Sequence, residues 1–158
     1  MISAKQQKIV SKSPAQTVRL GARLGKALKR GDIICLFGEL GTGKTTLIKG
    51  IAKGMGLRWS AVNSPTFVLM NIYEGRLPLF HFDFYRLDSM REISAIGYDE
   101  FLYDDGVAVI EWADRLENDL PEEYLRVELR HKNLNERIVQ FSARGPRYDK
   151  IVHQVQKQ

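Results

Sequence analysis

Gly38-Glu39-Leu40-Gly41-Thr42-Gly43-Lys44-Thr45 decides the reading of this chain. The segment matches G-x-x-x-x-G-K-[ST], a backbone loop that wraps an oxyanion. The glycines permit a tight fold in which successive N–H groups point inward. Lys44 supplies a charge for β- and γ-phosphates, and Thr45 a hydroxyl for Mg2+. The neighbours fit the motif. Ile33-Ile34-Cys35-Leu36-Phe37 is an unbroken apolar run, as a buried parallel strand requires. Leu47, Ile48, Ile51 and Ala52 follow at helical spacing. A helix starting near Lys44 would aim its positive dipole end at the same anion.

The rest of the chain sets bounds. Its 158 residues suit one domain with a real core. No apolar run approaches the roughly 18 residues of a membrane span, and Met1–Lys8 lacks the apolar stretch of a signal peptide. A cytoplasmic protein with no membrane partner is therefore expected. The single cysteine, Cys35, sits in the core strand and reads as a buried structural thiol. The net charge of +5 is uneven. Residues 1–30 hold Lys and Arg but no acid, and a basic tail is expected from about residue 145. The middle is acidic. Such ends suit RNA or an acidic protein. With no aromatic residue between the N-terminal charges, solvated helix faces are the simpler expectation.

Along the chain, Ile9-Val10 suggests a short edge strand. Ser13-Pro14-Ala15-Gln16 suggests a capped helix start. That helix is expected to run to about Lys29, with Gly31 behind it. Thr66–Tyr73 and Leu77–Phe82 suggest a hairpin closed by Glu74-Gly75-Arg76, with Gly75 left-handed. Ser89-Met90-Arg91-Glu92 is a second capping box, opening a short helix. Val107–Ile110 is another buried strand. Leu125–Leu129 and Arg137–Phe141 form a final pair. The expected fold is α/β of the P-loop NTPase type: a mixed, mostly parallel central sheet with flanking helices.

A phosphate loop needs a carboxylate to place Mg2+, usually at the end of a neighbouring strand. Asp83 follows Leu79–Phe82, and Glu111 follows Val107–Ile110. Either acid suits the metal, and the other suits a water. His81 lies two residues before Asp83, on the same strand face. Trp112 either shields the pocket or packs. Asn63-Ser64-Pro65-Thr66 lies where a γ-phosphate sensor is often found, with Thr66 or Ser64 as the hydroxyl. Neither N-K-x-D nor D-x-x-G occurs, so ATP is favoured over GTP.

Four blocks occur in family order: residues 38–46, Ser64–Phe67, His81-Phe82-Asp83-Phe84-Tyr85-Arg86-Leu87 and Glu111-Trp112. Together they resemble the TsaE family, formerly YjeE, over nearly the whole chain. The resemblance implies a small ATPase using ATP and Mg2+. It implies action in threonylcarbamoyl modification of adenosine, in tRNAs reading codons that start with A. The implied partner is the TsaD–TsaB complex, through which tRNA is reached. By the same resemblance, Gly38, Glu39, Leu40, Gly41, Thr42, Gly43, Lys44, Thr45 and Thr46 hold the phosphates. Thr45, Glu111 and Asp83 meet the metal. Lys44, Asp83, Glu111 and Thr66 serve the reaction. Ser11 and Thr17, with Lys132, are the candidates near the adenine. The rival classes are a small-molecule kinase, which would need an acceptor pocket and a lid, and a non-hydrolysing nucleotide-dependent regulator.

Overall fold

The computed structural model describes residues 5–63, 69–87, 89–95, 97–102 and 105–156. The elements in chain order are β1 (Gln6–Ser11), α1 (Pro14–Ala27), β2 (Ile33–Phe37), α2 (Lys44–Gly54), β3 (Met70–Tyr73), β4 (Leu79–Asp83), α3 (Met90–Ala95), α4 (Asp99–Leu102), β5 (Val107–Glu111), β6 (Tyr124–His131), β7 (Arg137–Arg144) and α5 (Pro146–Gln156). Seven strands form one sheet in the order β1-β7-β6-β2-β5-β4-β3. Its middle is parallel: β2 pairs with β5 and β6, and β4 with β5. Antiparallel strands close both edges, with β7 on β6, β1 on β7 and β3 on β4. The expected mixed α/β sheet, mostly parallel in its core, is the one observed.

The buried strands show why. Every residue of β2, β4 and β5 is buried, as a sheet covered on both faces demands. Leu36, Val127 and Phe141 of the sheet pack with Leu47 and Ile51 of α2 and with residues of α1 and α5. Cys35, Phe82, Phe84 and Ile110 pack on the opposite face. Burial pushes the Cys35 thiol far up, leaving it inert packing as expected.

Helices α1 and α2 lie backbone to backbone. A Cβ on Gly21 would come 2.9 Å from Gly50 Cα, and one on Gly25 3.1 Å from Gly54 Cα. Gly50 and Gly54 in turn face the carbonyls of Val18 and Ala22. Two G-x-x-x-G spacings thus meet in one seam, each pair a helical turn apart. The signal is present in the sequence as the matched spacings Gly21/Gly25 and Gly50/Gly54.

Several local expectations change. The edge strand reaches Gln6–Ser11, well beyond Ile9-Val10. Ser13 Oγ accepts from Gln16 N at 3.1 Å, but Gln16 Oε1 accepts from Lys12 N, one residue before the cap. The β3–β4 loop spans Glu74–Pro78, since Tyr73 pairs with Leu79. Gly75 is not left-handed. It is small because a Cβ there would collide with the Leu57 side chain. Residues 146–156, expected as a tail, form α5, which buries Tyr148, Ile151, Val152 and Val155. Arg147 anchors it with a two-toothed pair to buried Asp32, at 3.0 and 2.7 Å. Tyr148 Oη accepts from Ile33 N at 2.9 Å.

Candidate functional site

The loop between β2 and α2 bends where only glycine bends easily. Gly38, Gly41 and Gly43 have φ of 146°, 79° and 99°. A Cβ on Gly38 would also lie 2.5 Å from the Leu129 carbonyl oxygen. Gly43 is the N-cap of α2 and brings no side chain, so the first N–H groups of the helix are left for an anion. Thr42 Oγ1 donates to the Glu39 carbonyl at 2.8 Å and braces the loop.

Lys44 is buried and folds back on its own loop. Its Nζ donates to the carbonyls of Gly38 and Glu39, at 2.7 and 2.8 Å. The ammonium also sits 4.4 Å from the centre of the Trp112 ring. Burial lowers the Lys44 pKa, and Glu111, Asp83 and Asp114 oppose that shift. A sequence motif gives no hint of this resting position.

Strands β4 and β5 carry the acids to the same point. Asp83 and Glu111 are paired in register, both at strand ends and both buried. Thr45 Oγ1 donates to Glu111 Oε1 at 3.3 Å. The other carboxylate oxygen, Oε2, lies 2.6 Å from His81 Nε2. His81 Nδ1 is 3.4 Å from Tyr73 Oη, which donates to the Asn63 carbonyl at 3.3 Å. A polar chain therefore runs from Asn63, beside the expected sensor, to Thr45. Asp83 Oδ1 accepts from Tyr85 N at 2.9 Å, closing an Asx turn. The sensor residues Ser64, Pro65 and Thr66 lie outside the described residues.

A cleft of about 350 Å³ opens over these groups, lined by Leu40, Gly41, Gly43 to Thr46, Asp83, Tyr85, Glu111 and Trp112. Trp112 takes a left-handed φ of 59°, unusual for a bulky residue, and this turns its ring over the cleft. Tyr85 packs against it at 4.8 Å between ring centres. Trp112, expected to shield the pocket or pack, lines the cleft; His81, expected beside Asp83, pairs with Glu111, and Tyr85 adds a second aromatic wall. A second crevice of about 220 Å³ adjoins the loop. It brings Ser11 and Thr17 next to Gly41, Thr42, Gly43 and Thr46, and adds Asn135 and Arg137. Ser11 Oγ and Thr17 Oγ1 are 2.6 Å apart. Arg137 was not anticipated. It comes from β7, remote in sequence, and donates to the Gly41 carbonyl at 3.5 Å. Lys132, in the β6–β7 turn, lines neither space.

Thr45, Glu111 and Asp83 offer oxygen donors, the kind a hard cation such as Mg2+ takes. Among the described residues no group of three or more His, Cys, Asp or Glu forms a cage for a metal. Among the described residues no helix is long and apolar enough to cross a membrane.

A parallel strand, a glycine loop capping a helix, a buried lysine and strand-end carboxylates define the P-loop class of α/β proteins. Residues 11–139 match the family described as Threonylcarbamoyl adenosine biosynthesis protein TsaE. The chain belongs to the TsaE family. It is 43% identical over 121 residues to the tRNA threonylcarbamoyladenosine biosynthesis protein TsaE of Treponema pallidum, covering 77% of this chain and 89% of that one. To the protein of the same name from Bacillus subtilis it is 37% identical over 154 residues, covering 97% and 96%. The crystal structure of Bacillus subtilis YdiB superposes with a TM-score of 0.81 at 33% identity, covering 98% of this chain and 95% of that one.

Proposed function

We propose that this protein binds and hydrolyses ATP with Mg2+ in the threonylcarbamoyl modification of adenosine, in tRNAs that read codons starting with A. Its partner would be the TsaD–TsaB pair, through which tRNA is reached. The observation that carries the reading is the convergence of Lys44, Thr45, Asp83 and Glu111 on one cleft beside the glycine loop.

The residues divide the work. The N–H groups of residues 41–46 would hold the phosphates, and Lys44 would leave the Gly38 and Glu39 carbonyls to meet them. Thr45 and Glu111 would hold Mg2+, which when bound neutralises charge on the phosphates. Asp83, beside Glu111, would orient the attacking water. Tyr85 and Trp112 would exclude bulk water from the cleft. The crevice of Ser11, Thr17, Asn135 and Arg137 would take the base.

Among the described residues no arginine lines the cleft as a finger. Hydrolysis by the isolated protein is therefore slow, and a partner accelerates it by completing the site. Steady-state phosphate release, measured with and without the TsaD–TsaB pair, tests this. Fast release that the pair leaves unchanged refutes the partner-dependent reading, and phosphate transfer to a small acceptor makes the protein a kinase.

A further inference from the structure

Residues 5–31 and 40–73 contain no Asp or Glu. Those two stretches supply β1, α1 and α2, so neither helix of the glycine seam carries a carboxylate; Asp149 lies on α5, in the same layer. Arg19, Arg23 and Lys26 recur on α1 at intervals of four and three, a single stripe of the helix. Lys53 of α2 joins them across the glycine seam. These four cations line a groove of about 720 Å³, floored by Ile9, Val10, Leu20 and Ala22. Arg19, Lys26 and Lys53 are exposed. Among the described residues the salt bridges are elsewhere, at Glu111, Glu128 and Asp32. Uncompensated cations this close repel one another, and that repulsion is relieved by a polyanion.

The sequence lacked an aromatic residue among these charges, but the fold provides one. Trp59 follows α2, is 41% exposed, and lies 5.4 Å from Lys53 Nζ at its ring centre. Arg58 precedes it and is exposed. A stripe of cations with an exposed indole at one end is how proteins hold a phosphate backbone and stack a base. An acidic peptide would have use for the cations but not for the indole.

We infer that the α1–α2 face is a binding surface for the phosphodiester backbone of RNA, contacted directly and apart from the nucleotide cleft. Its affinity is electrostatic and falls with salt. Specificity for sequence is low, since these side chains meet phosphate and not base edges.

The test is binding of an unmodified, fluorescently labelled tRNA transcript, without nucleotide, as KCl is raised. The comparison is with a variant combining Arg19→Gln, Lys26→Gln and Lys53→Gln, none of which lines the cleft. The expected result is measurable binding by the wild type, weaker by about tenfold in the variant, with a log–log salt slope shallower by about 2 to 3. Trp59→Ala is expected to weaken binding and leave the slope unchanged. ATP affinity is measured in parallel. Its retention shows that the variant is folded, and its absence in the wild type would overturn the ATPase reading alone. The single variants Arg19→Gln and Lys53→Gln carry the test if the combination does not fold. Equal tRNA binding by wild type and variants overturns the inference. So does binding of polyglutamate in preference to tRNA, which would make the surface a protein-docking site.

Discussion

His81 Nε2 and Glu111 Oε2 lie 2.6 Å apart with both side chains buried. The pair fixes which carboxylate oxygen is left to face Thr45. An imidazole that holds a ligand carboxylate in place acts on the metal from behind. His81→Asn is therefore expected to raise the Mg2+ concentration needed for nucleotide binding by about tenfold. The check is Mg2+ titration of a fluorescent ATP analogue. An unchanged Mg2+ midpoint would leave His81 a packing residue.

Lys44→Ala is expected to lower ATP hydrolysis by about 100-fold or more. Stability should change by no more than about 2 kcal/mol, because relief of desolvation offsets the two lost carbonyl bonds. Phosphate release and urea denaturation measure the two effects. Wild-type turnover in this variant would remove the phosphate loop from the mechanism.

The two acids separate by their contacts. Glu111→Ala takes away the partner of both Thr45 and His81. It should raise the Mg2+ requirement and abolish hydrolysis. Asp83→Asn keeps the side-chain oxygen that accepts from Tyr85 N. It should retain nucleotide and hydrolyse it poorly. Parallel Mg2+ titrations of both variants decide, and indifference of both would end the metal-site assignment.

Tyr148 gives a pH signature. Burial raises its phenol from an ordinary 10.0 to about 12, while its bond from Ile33 N pulls the other way. The folded state thus holds the proton to higher pH than the unfolded chain does. The stability this contributes is full below pH 10 and is lost as pH climbs to about 12. Urea midpoints across that window, compared with Tyr148→Phe, isolate it. The variant should lose stability less steeply there, and parallel curves would contradict the assignment.

Not all glycines are equal in cost. Gly21→Val places a branched side chain against the α2 backbone, where even a Cβ would be 2.9 Å from Gly50 Cα. A loss of about 3 kcal/mol is expected. Gly31→Ala has nothing within 4 Å and meets only its φ of 87°, costing about 1 kcal/mol. Denaturation midpoints of the two variants test the order.

What the sequence disclosed followed local rules. The strand, loop and helix from Ile33 to Gly54 declared themselves because periodicity and glycine placement are short-range signals. Asp83 and Glu111 were legible as acids ending apolar runs. Their side-by-side pairing was not, because it depends on β4 and β5 being neighbours. Arg137 was hidden for the same reason, since β7 reaches the loop only through the order of the sheet. Helix α5 was masked by its charges. Tyr148, Ile151, Val152 and Val155 stand at helical spacing, but Arg147 and Lys150 made the segment read as a tail. The β3–β4 hairpin forms as expected, but with a longer loop, in which Gly75 meets the side chain of Leu57, eighteen positions away in the chain.

The glycine seam works as a gauge block. Thr17 stands one turn, about 6 Å, ahead of Gly21 along α1, and Thr46 stands one turn ahead of Gly50 along α2. Both line the crevice that also holds Ser11. Close backbone contact at the four glycines sets the spacing of α1 and α2, and with it the distance at which the two helices hold Thr17 and Thr46. Bulk added at the seam is expected to push the two helices apart, so the shape of the crevice depends on glycines that do not line it.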